Sequence, residues 1–195
     1  MEACRLIGNM LETTVQDEIT LTGLDMRHAQ NMYDFIVRNK AFFIEWIPFV
    51  SRIHRLQDME TLIKTNLERS AQGLGLYYTL WDHTTLIGYI LARDIDREAK
   101  WAEIGYMIDK QYAGRGIIKA SCIRLMKHLF NELHMDKVVI CCTDDNAASQ
   151  ALAHTLGFTL EGTLRNHFVV NGTLRNMSYY GILREEYSRE QGSPA

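Results

Sequence analysis

Gln111-Tyr112-Ala113-Gly114-Arg115-Gly116-Ile117 is the stretch that decides how this chain folds. Ahead of it stands Ala102-Glu103-Ile104-Gly105-Tyr106-Met107-Ile108, a short apolar run with strand character. Behind it an amphipathic pattern continues from Ile117 to Leu133. A strand, a turn carrying two glycines and a long helix, in that order, gather unpaired backbone N–H groups at the positive end of a helix dipole. Such a nest binds phosphate groups, and glycine lets the backbone take positive φ and approach the ligand closely.

Two common phosphate loops are excluded by their residues. The nucleoside-triphosphate loop requires lysine followed by Ser or Thr, whereas Lys119 is followed by Ala120, which has no hydroxyl for a metal. The dinucleotide fingerprint requires a third glycine where Lys119 stands, within a repeating parallel βαβ setting.

Composition narrows the class further. A chain of 195 residues suits one domain with a real core. The formal net charge of −3 supplies no basic footprint for nucleic acid. No apolar run approaches the ~20 residues that span a bilayer, so no membrane segment is expected. The N-terminus lacks the basic segment and apolar core of a secretion signal. Cys4, Cys122, Cys141 and Cys142 show no metal-ligand spacing and read as reduced thiols of a cytoplasmic protein without a metal site. Adjacent Cys141 and Cys142 on one strand would face opposite sides. Arg52, His54 and Arg55 form a local basic cluster, either a solvated loop or a contact for an acidic substrate.

The periodicities predict a first strand over Glu18 to Leu24. A helix follows, capped by Asp25 and running through Met26, Ala29, Met32, Tyr33, Ile36 and Val37. A second short helix is expected from Lys40 towards Trp46, stopped by Pro48, and a third over Asp58 to Ala71, ended by Gly73. Leu76 to Trp81 and Leu86 to Ile95 read as strands joined by a hairpin at Asp82-His83-Thr84-Thr85, and Trp101 to Ile108 continues the sheet. Ile118, Cys122, Leu125, Leu129 and Leu133 share one face of the next helix. Lys137 to Cys142 reads as a buried strand, and Asn146 to Leu156 as a helix ended by Gly157. Phe158 to Val170 and Thr173 to Leu183 are strands around Asn171-Gly172, the strongest hairpin turn in the chain. The order implies one α+β domain with a mixed, mostly antiparallel sheet over 15–187, with loose termini at 1–14 and 188–195.

Together, these stretches resemble the RimJ/RimL type of the GNAT N-acetyltransferase superfamily. The resemblance is carried by Ala102-Glu103-Ile104-Gly105-Tyr106, Gln111-x-x-Gly114-x-Gly116-Ile117-Ile118, Asp145-Asn146-x-x-Ser149, Leu156-Gly157-Phe158, Glu161-Gly162 and Val170-Asn171-Gly172. It implies the GNAT fold, in which a parallel strand pair flanked by helices splays apart and admits acetyl-CoA as co-substrate. The pantetheine arm would pair with backbone around Met107 and Ile108. The pyrophosphate would sit on the amides of Gly114, Arg115, Gly116 and Ile117, with Ile118 following in the motif, Gln111 shaping the loop, and Arg115 either adding charge or standing exposed. The resemblance also implies a protein N-terminus or a small amine as acceptor, and makes a homodimer a plausible assembly.

An α-amino group, with a pKa near 8, is roughly a tenth neutral at pH 7, so a modest base suffices to deprotonate it. Glu103 is the first candidate, with ordering of the sheet or of water as its other reading. A backbone N–H at Met107 or Ile108 would meet the oxyanion without reorganising. Ser149 matches the family position near the CoA sulfur, where it would serve the leaving thiolate, and Asn146 would touch the pantetheine. Both also read as helix-start capping. The family's hairpin glutamate has no counterpart in Arg165-Asn166-His167-Phe168-Val169, and His167 could replace it. Cys142 falls near the expected CoA thiol, either as an acyl-accepting nucleophile or as a small buried apolar group. Phe42, Phe43, Trp46, Phe49 and the Phe168 to Thr173 hairpin would wall the acceptor channel or pack the helices. The reading is direct acetyl transfer in a ternary complex to a protein N-terminus. The alternatives are a polyamine or antibiotic acetyltransferase and a non-catalytic acyl-CoA sensor.

Overall fold

The computed structural model describes residues 13–16 and 18–192. Cys4 and its expected free thiol lie outside them. Eight strands form one sheet: β1 (Thr13–Gln16), β2 (Ile19–Gly23), β3 (Gly75–Asp82), β4 (Thr85–Asp96), β5 (Trp101–Ile108), β6 (Lys137–Thr143), β7 (Thr159–Val170) and β8 (Thr173–Leu183). Their spatial order is β1-β2-β3-β4-β5-β6-β8-β7. Every neighbouring pair is antiparallel except β5 and β6, which are parallel. This is the GNAT fold.

Helices cover both faces. On one, α1 (Ala29–Phe43) and α2 (Leu56–Ala71) pack over β3, β4 and β5. On the other lie α3 (Ile117–Lys127), α4 (Ala147–Thr155) and α5 (Arg184–Gly192). The α1 stripe is explicit in the sequence: Met32, Phe35, Ile36, Asn39 and Phe43 recur at three- and four-residue spacing and all are buried. In the sheet, alternation sends Ala102 and Ile104 of β5 to one core and Met107 to the other. Ile90, central in β4, is fully buried. Ile90→Val is therefore expected to cost about 0.5–1.5 kcal/mol, read as a lower urea midpoint at unchanged slope.

Several boundaries differ from the periodicities, each for a physical reason. The sheet begins at Thr13, before the expected domain edge, because Thr13 and Thr14 pair with Leu21 and Thr20. The chain remains helical through Gly192, beyond the expected edge at 187. Asp25 caps a short 3-10 turn, Met26–His28, that leads into α1. No separate helix starts at Lys40, because α1 runs unbroken to Phe43. Pro48 opens a 3-10 turn, Pro48–Arg52, rather than stopping a helix, since a first helical position needs no N–H. Asp58 accepts the amides of His54 and Arg55 at 3.0 and 3.1 Å, which moves the start of α2 back to Leu56.

Beyond α3, His128–Glu132 forms a π-helical turn. The wider turn places consecutive Leu129 and Phe130 in the core; Ile118 packs against it as expected, partly buried, and Ile117 is buried beside it. Both hairpins close as expected. His83 and Thr84 join Asp82 to Thr85, and Asn171 and Gly172, at φ 47° and 73°, join Val170 to Thr173. No helix among the described residues is long and apolar enough to cross a membrane.

Candidate active site

The turn between β5 and α3 is built to present amides. Gly114 and Gly116 have φ of 77° and 80°, in the left-handed region that glycine enters without strain. Gly116 caps α3, and the first bond of the helical ladder runs from the Ala120 N–H to the Gly116 carbonyl at 3.0 Å. The amides of Ile117, Ile118 and Lys119 therefore precede the ladder, where the dipole favours an anion. The first turn of α3 carries no acidic residue. Arg115 is exposed, with its guanidinium 4.8 Å from the Tyr112 ring centroid and its carbonyl accepting from Gln16 Nε2 at 3.2 Å. Gln111 is exposed, and its backbone N–H donates to Asp109 Oδ1 at 3.0 Å.

Beside this turn the sheet opens. β5 and β6 pair only at Trp101–Lys137, Ala102–Val138 and Glu103–Val139, although β5 continues to Ile108 and β6 to Thr143. Glu103 sits at the last paired position, the apex of a V. Met107 and Ile108 lie further along the diverging edge.

The two faces of the V carry different chemistry. On the face shared with α1 and α2, Glu103 is buried and takes a 2.5 Å hydrogen bond from Arg93 Nη2, its cross-strand partner on β4. Burial pushes the Glu103 carboxyl up and Arg93 pulls it partly back, leaving it above the usual carboxylate range. Burial alone would lower Arg93, but Glu103 reverses this and holds the guanidinium firmly charged. Cys141 lies on this face, opposite Tyr179 of β8. Tyr179 Oη is 3.1 Å from His167 Nε2, and His167 stands exposed where the β7 register breaks between Leu164 and Phe168.

On the opposite face, Ser149 Oγ lies 2.6 Å from Tyr106 Oη. Ser149 also favours the thiolate form of Cys142, which stands on β6, the other arm of the V. Burial holds Tyr106 protonated, with its pKa far above the ordinary phenol value. Burial also pushes the Cys142 thiol up to about 11 against the pull of Ser149, so it is a thiol at neutral pH and a poor nucleophile. Asn146 Oδ1 accepts the Ser149 N–H at 3.1 Å, the capping role foreseen as one of its two readings.

The structure therefore gathers the amide turn, the free edge of β5, Cys142, Ser149 and Asn146 around one side of the V. Glu103 and His167 belong to the other face and do not meet Ser149. Phe43 is a core residue, 5.2 Å from the Phe35 ring, while Phe42 is exposed and Trp46 and Phe49 are half-buried. Tyr106 and Arg93 were not singled out from sequence. Tyr106 alternates with Ile104 and Ile108 and so reads as core. Arg93 shows its partner only once the β4–β5 register is known.

A sheet opened between two parallel strands, with an amide-rich turn at its mouth, defines the class of N-acyltransferases. Residues 18–159 match the family model described as Acetyltransferase (GNAT) domain, and the chain belongs to this family of N-acetyltransferases. YdaF of Bacillus subtilis, whose name assigns it provisionally to the ribosomal N-acetyltransferases, is 31% identical over 183 residues, covering 93% of this chain and 100% of its own length. The ribosomal-protein-serine acetyltransferase of Escherichia coli is 27% identical over 172 residues, covering 88% of this chain and 96% of its own. Among solved structures, a microcin self-immunity acetyltransferase in complex with acetyl-CoA and AMP superimposes with a TM-score of 0.81 at 28% identity, covering 87% of this chain and 94% of that one.

Proposed function

We propose that this enzyme transfers the acetyl group of acetyl-CoA to the α-amino group of a protein, of the kind its ribosomal-protein relatives modify, by direct attack in a ternary complex. The observation that carries this reading is the V that opens just past Glu103 with the Gly114–Gly116 turn at its mouth. The turn fits a pyrophosphate, since its orphan amides lie at a helix N-terminus without acidic neighbours in the first turn. Gly114, Arg115, Gly116, Ile117 and Ile118 would hold the diphosphate, and the β5 edge at Met107 and Ile108 the pantetheine. Acetyl-CoA supplies an activated thioester.

Glu103 takes a proton from the amine, directly or through water, as the N–C bond forms. A β5 amide receives the developing oxyanion. Ser149, oriented by Tyr106, donates a hydrogen bond to the sulfur as the C–S bond breaks. CoA leaves as thiolate, to be protonated by solvent while Glu103 releases the amine's proton to water. His167, 3.1 Å from Tyr179 Oη, would serve as the alternative base or shape the acceptor side. Cys142, protonated and sheltered, favours direct transfer over an acyl-cysteine. A ribosomal-protein acceptor would fit a cytoplasmic enzyme.

A protein N-terminus is favoured over a polyamine because the Glu103 and Glu161 carboxylates are already compensated. Glu103 is paired with Arg93, and Glu161 with Lys137 at 2.6 Å. The test is CoA-thiol release with serine- and alanine-starting peptides beside spermidine. Peptides are expected to be turned over at least about tenfold more efficiently, with intersecting initial-rate lines. Binding of acetyl-CoA without turnover on any amine would leave a sensor instead. Ser149→Ala is expected to lower kcat roughly 10- to 100-fold, from loss of a hydrogen bond to a charged leaving group, with KM for acetyl-CoA little changed.

A further inference from the structure

Helix α1 places an asparagine in the middle of its apolar stripe. Asn39 is 5% exposed, among Phe35, Ile36 and Phe43. A buried amide costs free energy unless its polar atoms are paired, so its presence calls for a partner. Asn39 Nδ2 donates to the Phe35 carbonyl and to Asp109 Oδ2, both at 3.0 Å, while its Oδ1 accepts the backbone N–H of Lys110 at 3.1 Å.

Asp109 is the second buried polar group, 6% exposed, and immediately follows β5. Arg38 Nε donates to its Oδ2 at 2.7 Å, and the Gln111 N–H donates to its Oδ1 at 3.0 Å. Its own N–H goes to the Ile87 carbonyl at 2.7 Å, and Arg38 also donates to the Leu86 carbonyl. Burial alone would raise the Asp109 carboxyl, but the bonds from Arg38, Asn39 and the Gln111 amide prevail and hold it below the usual range. The carboxylate is therefore charged, sheltered and bonded from α1 and from the turn it begins. None of these hydrogen bonds involves Glu103, Tyr106, Cys142 or Ser149.

The rest of the turn hangs between this knot and the start of α3. Tyr112 Oη donates to Asp82 Oδ2 at 2.6 Å, and Gln16 Nε2 holds the Arg115 carbonyl. Both of these supports are at the partly exposed surface. Asp109 and Asn39 are buried and fix the backbone at Lys110 and Gln111, where the chain leaves the sheet.

We propose that Asn39, Arg38 and Asp109 are positioning residues that set the Gln111–Ile117 turn for the pyrophosphate of the co-substrate without touching it. The proposal rests on the reading of that turn as the acetyl-CoA site. Asparagine suits the post because one side chain both donates to the carboxylate and accepts from the next amide, which no aliphatic residue can do. Charge-assisted bonds of this kind are among the stronger ones in a protein. Loosening the knot lets the turn sample conformations whose amides diverge, and affinity falls by the fraction of molecules still correctly set.

The experiment compares two acetyl donors that differ in the part this turn would hold: acetyl-CoA, and S-acetyl-pantetheine, which has no pyrophosphate. Asn39→Leu and Asp109→Asn are expected to raise KM for acetyl-CoA about 10- to 30-fold, one to one and a half factors of ten. Saturating kcat should stay within about threefold and KM for S-acetyl-pantetheine should not move. Arg38→Met, on a side chain 39% exposed and so tolerant of replacement, is expected to raise KM for acetyl-CoA about three- to tenfold with the same selectivity, and Arg38→Lys to restore part of it. An unchanged KM for acetyl-CoA in all variants overturns the proposal, as does an equal rise for both donors, which marks a merely structural role. Failure of the unaltered enzyme to bind acetyl-CoA at all would instead overturn the functional reading beneath it.

Discussion

Alanine at both Gly114 and Gly116 is expected to weaken CoA binding by roughly 30- to 700-fold. An L-residue in the left-handed region costs about 1–2 kcal/mol, so two cost about 2–4, and each 1.4 kcal/mol is a factor of ten. Space is not the obstacle. A methyl group at Gly114 meets nothing within 4 Å, and at Gly116 only Gln16 Oε1 at 3.5 Å. The loss comes from the backbone alone, as the turn leaves φ of 77° and 80° and its amides cease to converge. Titration calorimetry with CoA measures it directly. An affinity within threefold of the unaltered protein would remove the turn as the phosphate site, while an unchanged far-ultraviolet circular dichroism spectrum would show that the fold survives.

The second large effect is expected at Glu103. Glu103→Gln keeps the shape and a hydrogen-bond acceptor for Arg93 but cannot take a proton, and positioned bases contribute about 10²- to 10⁴-fold. A loss of that size in kcat/KM, with acetyl-CoA affinity preserved, is the expected result. The pH dependence carries the sign. The base works ionised, so activity rises with pH as Glu103 loses its proton, and burial moves that limb above the ordinary glutamate range. A second rise belongs to the acceptor, whose α-amine has a pKa near 8. Glu103→Gln should abolish the lower limb and leave the upper. A variant with wild-type turnover and both limbs intact would show that Glu103 only orders the sheet beside Arg93.

How far each part could be read in advance follows from the range of the forces that set it. The glycine turn was legible because its requirement is local: two residues at positive φ, a strand before and a helix after. Asn171-Gly172 was legible for the same reason. Thr13–Gln16 was not, since four residues with little apolar alternation become a strand only by pairing with β2. Pro48 was misread because proline both ends and begins helical turns, and the sequence alone does not say which. The site divided along the same line. Ser149 and Asn146 were singled out through the family motif, with helix-start capping as their other reading, but Tyr106 meets Ser149 across 43 residues and Asn39 meets Asp109 across 70. In one dimension an aromatic between two isoleucines, or an asparagine in an apolar stripe, carries no mark of its partner.

The brevity of the β5–β6 pairing has a mechanical consequence. Five strands stand on one bank and three on the other, stitched by three rungs at the narrow end. A thioester carrier bonded along the open edge would act as a borrowed strand, completing a seam that the polypeptide leaves undone. Saturation would then tighten the whole scaffold, by about 2.7 kcal/mol at a hundred times the dissociation constant. The carrier would be spent as a reactant and, while it stays, would brace the protein that spends it.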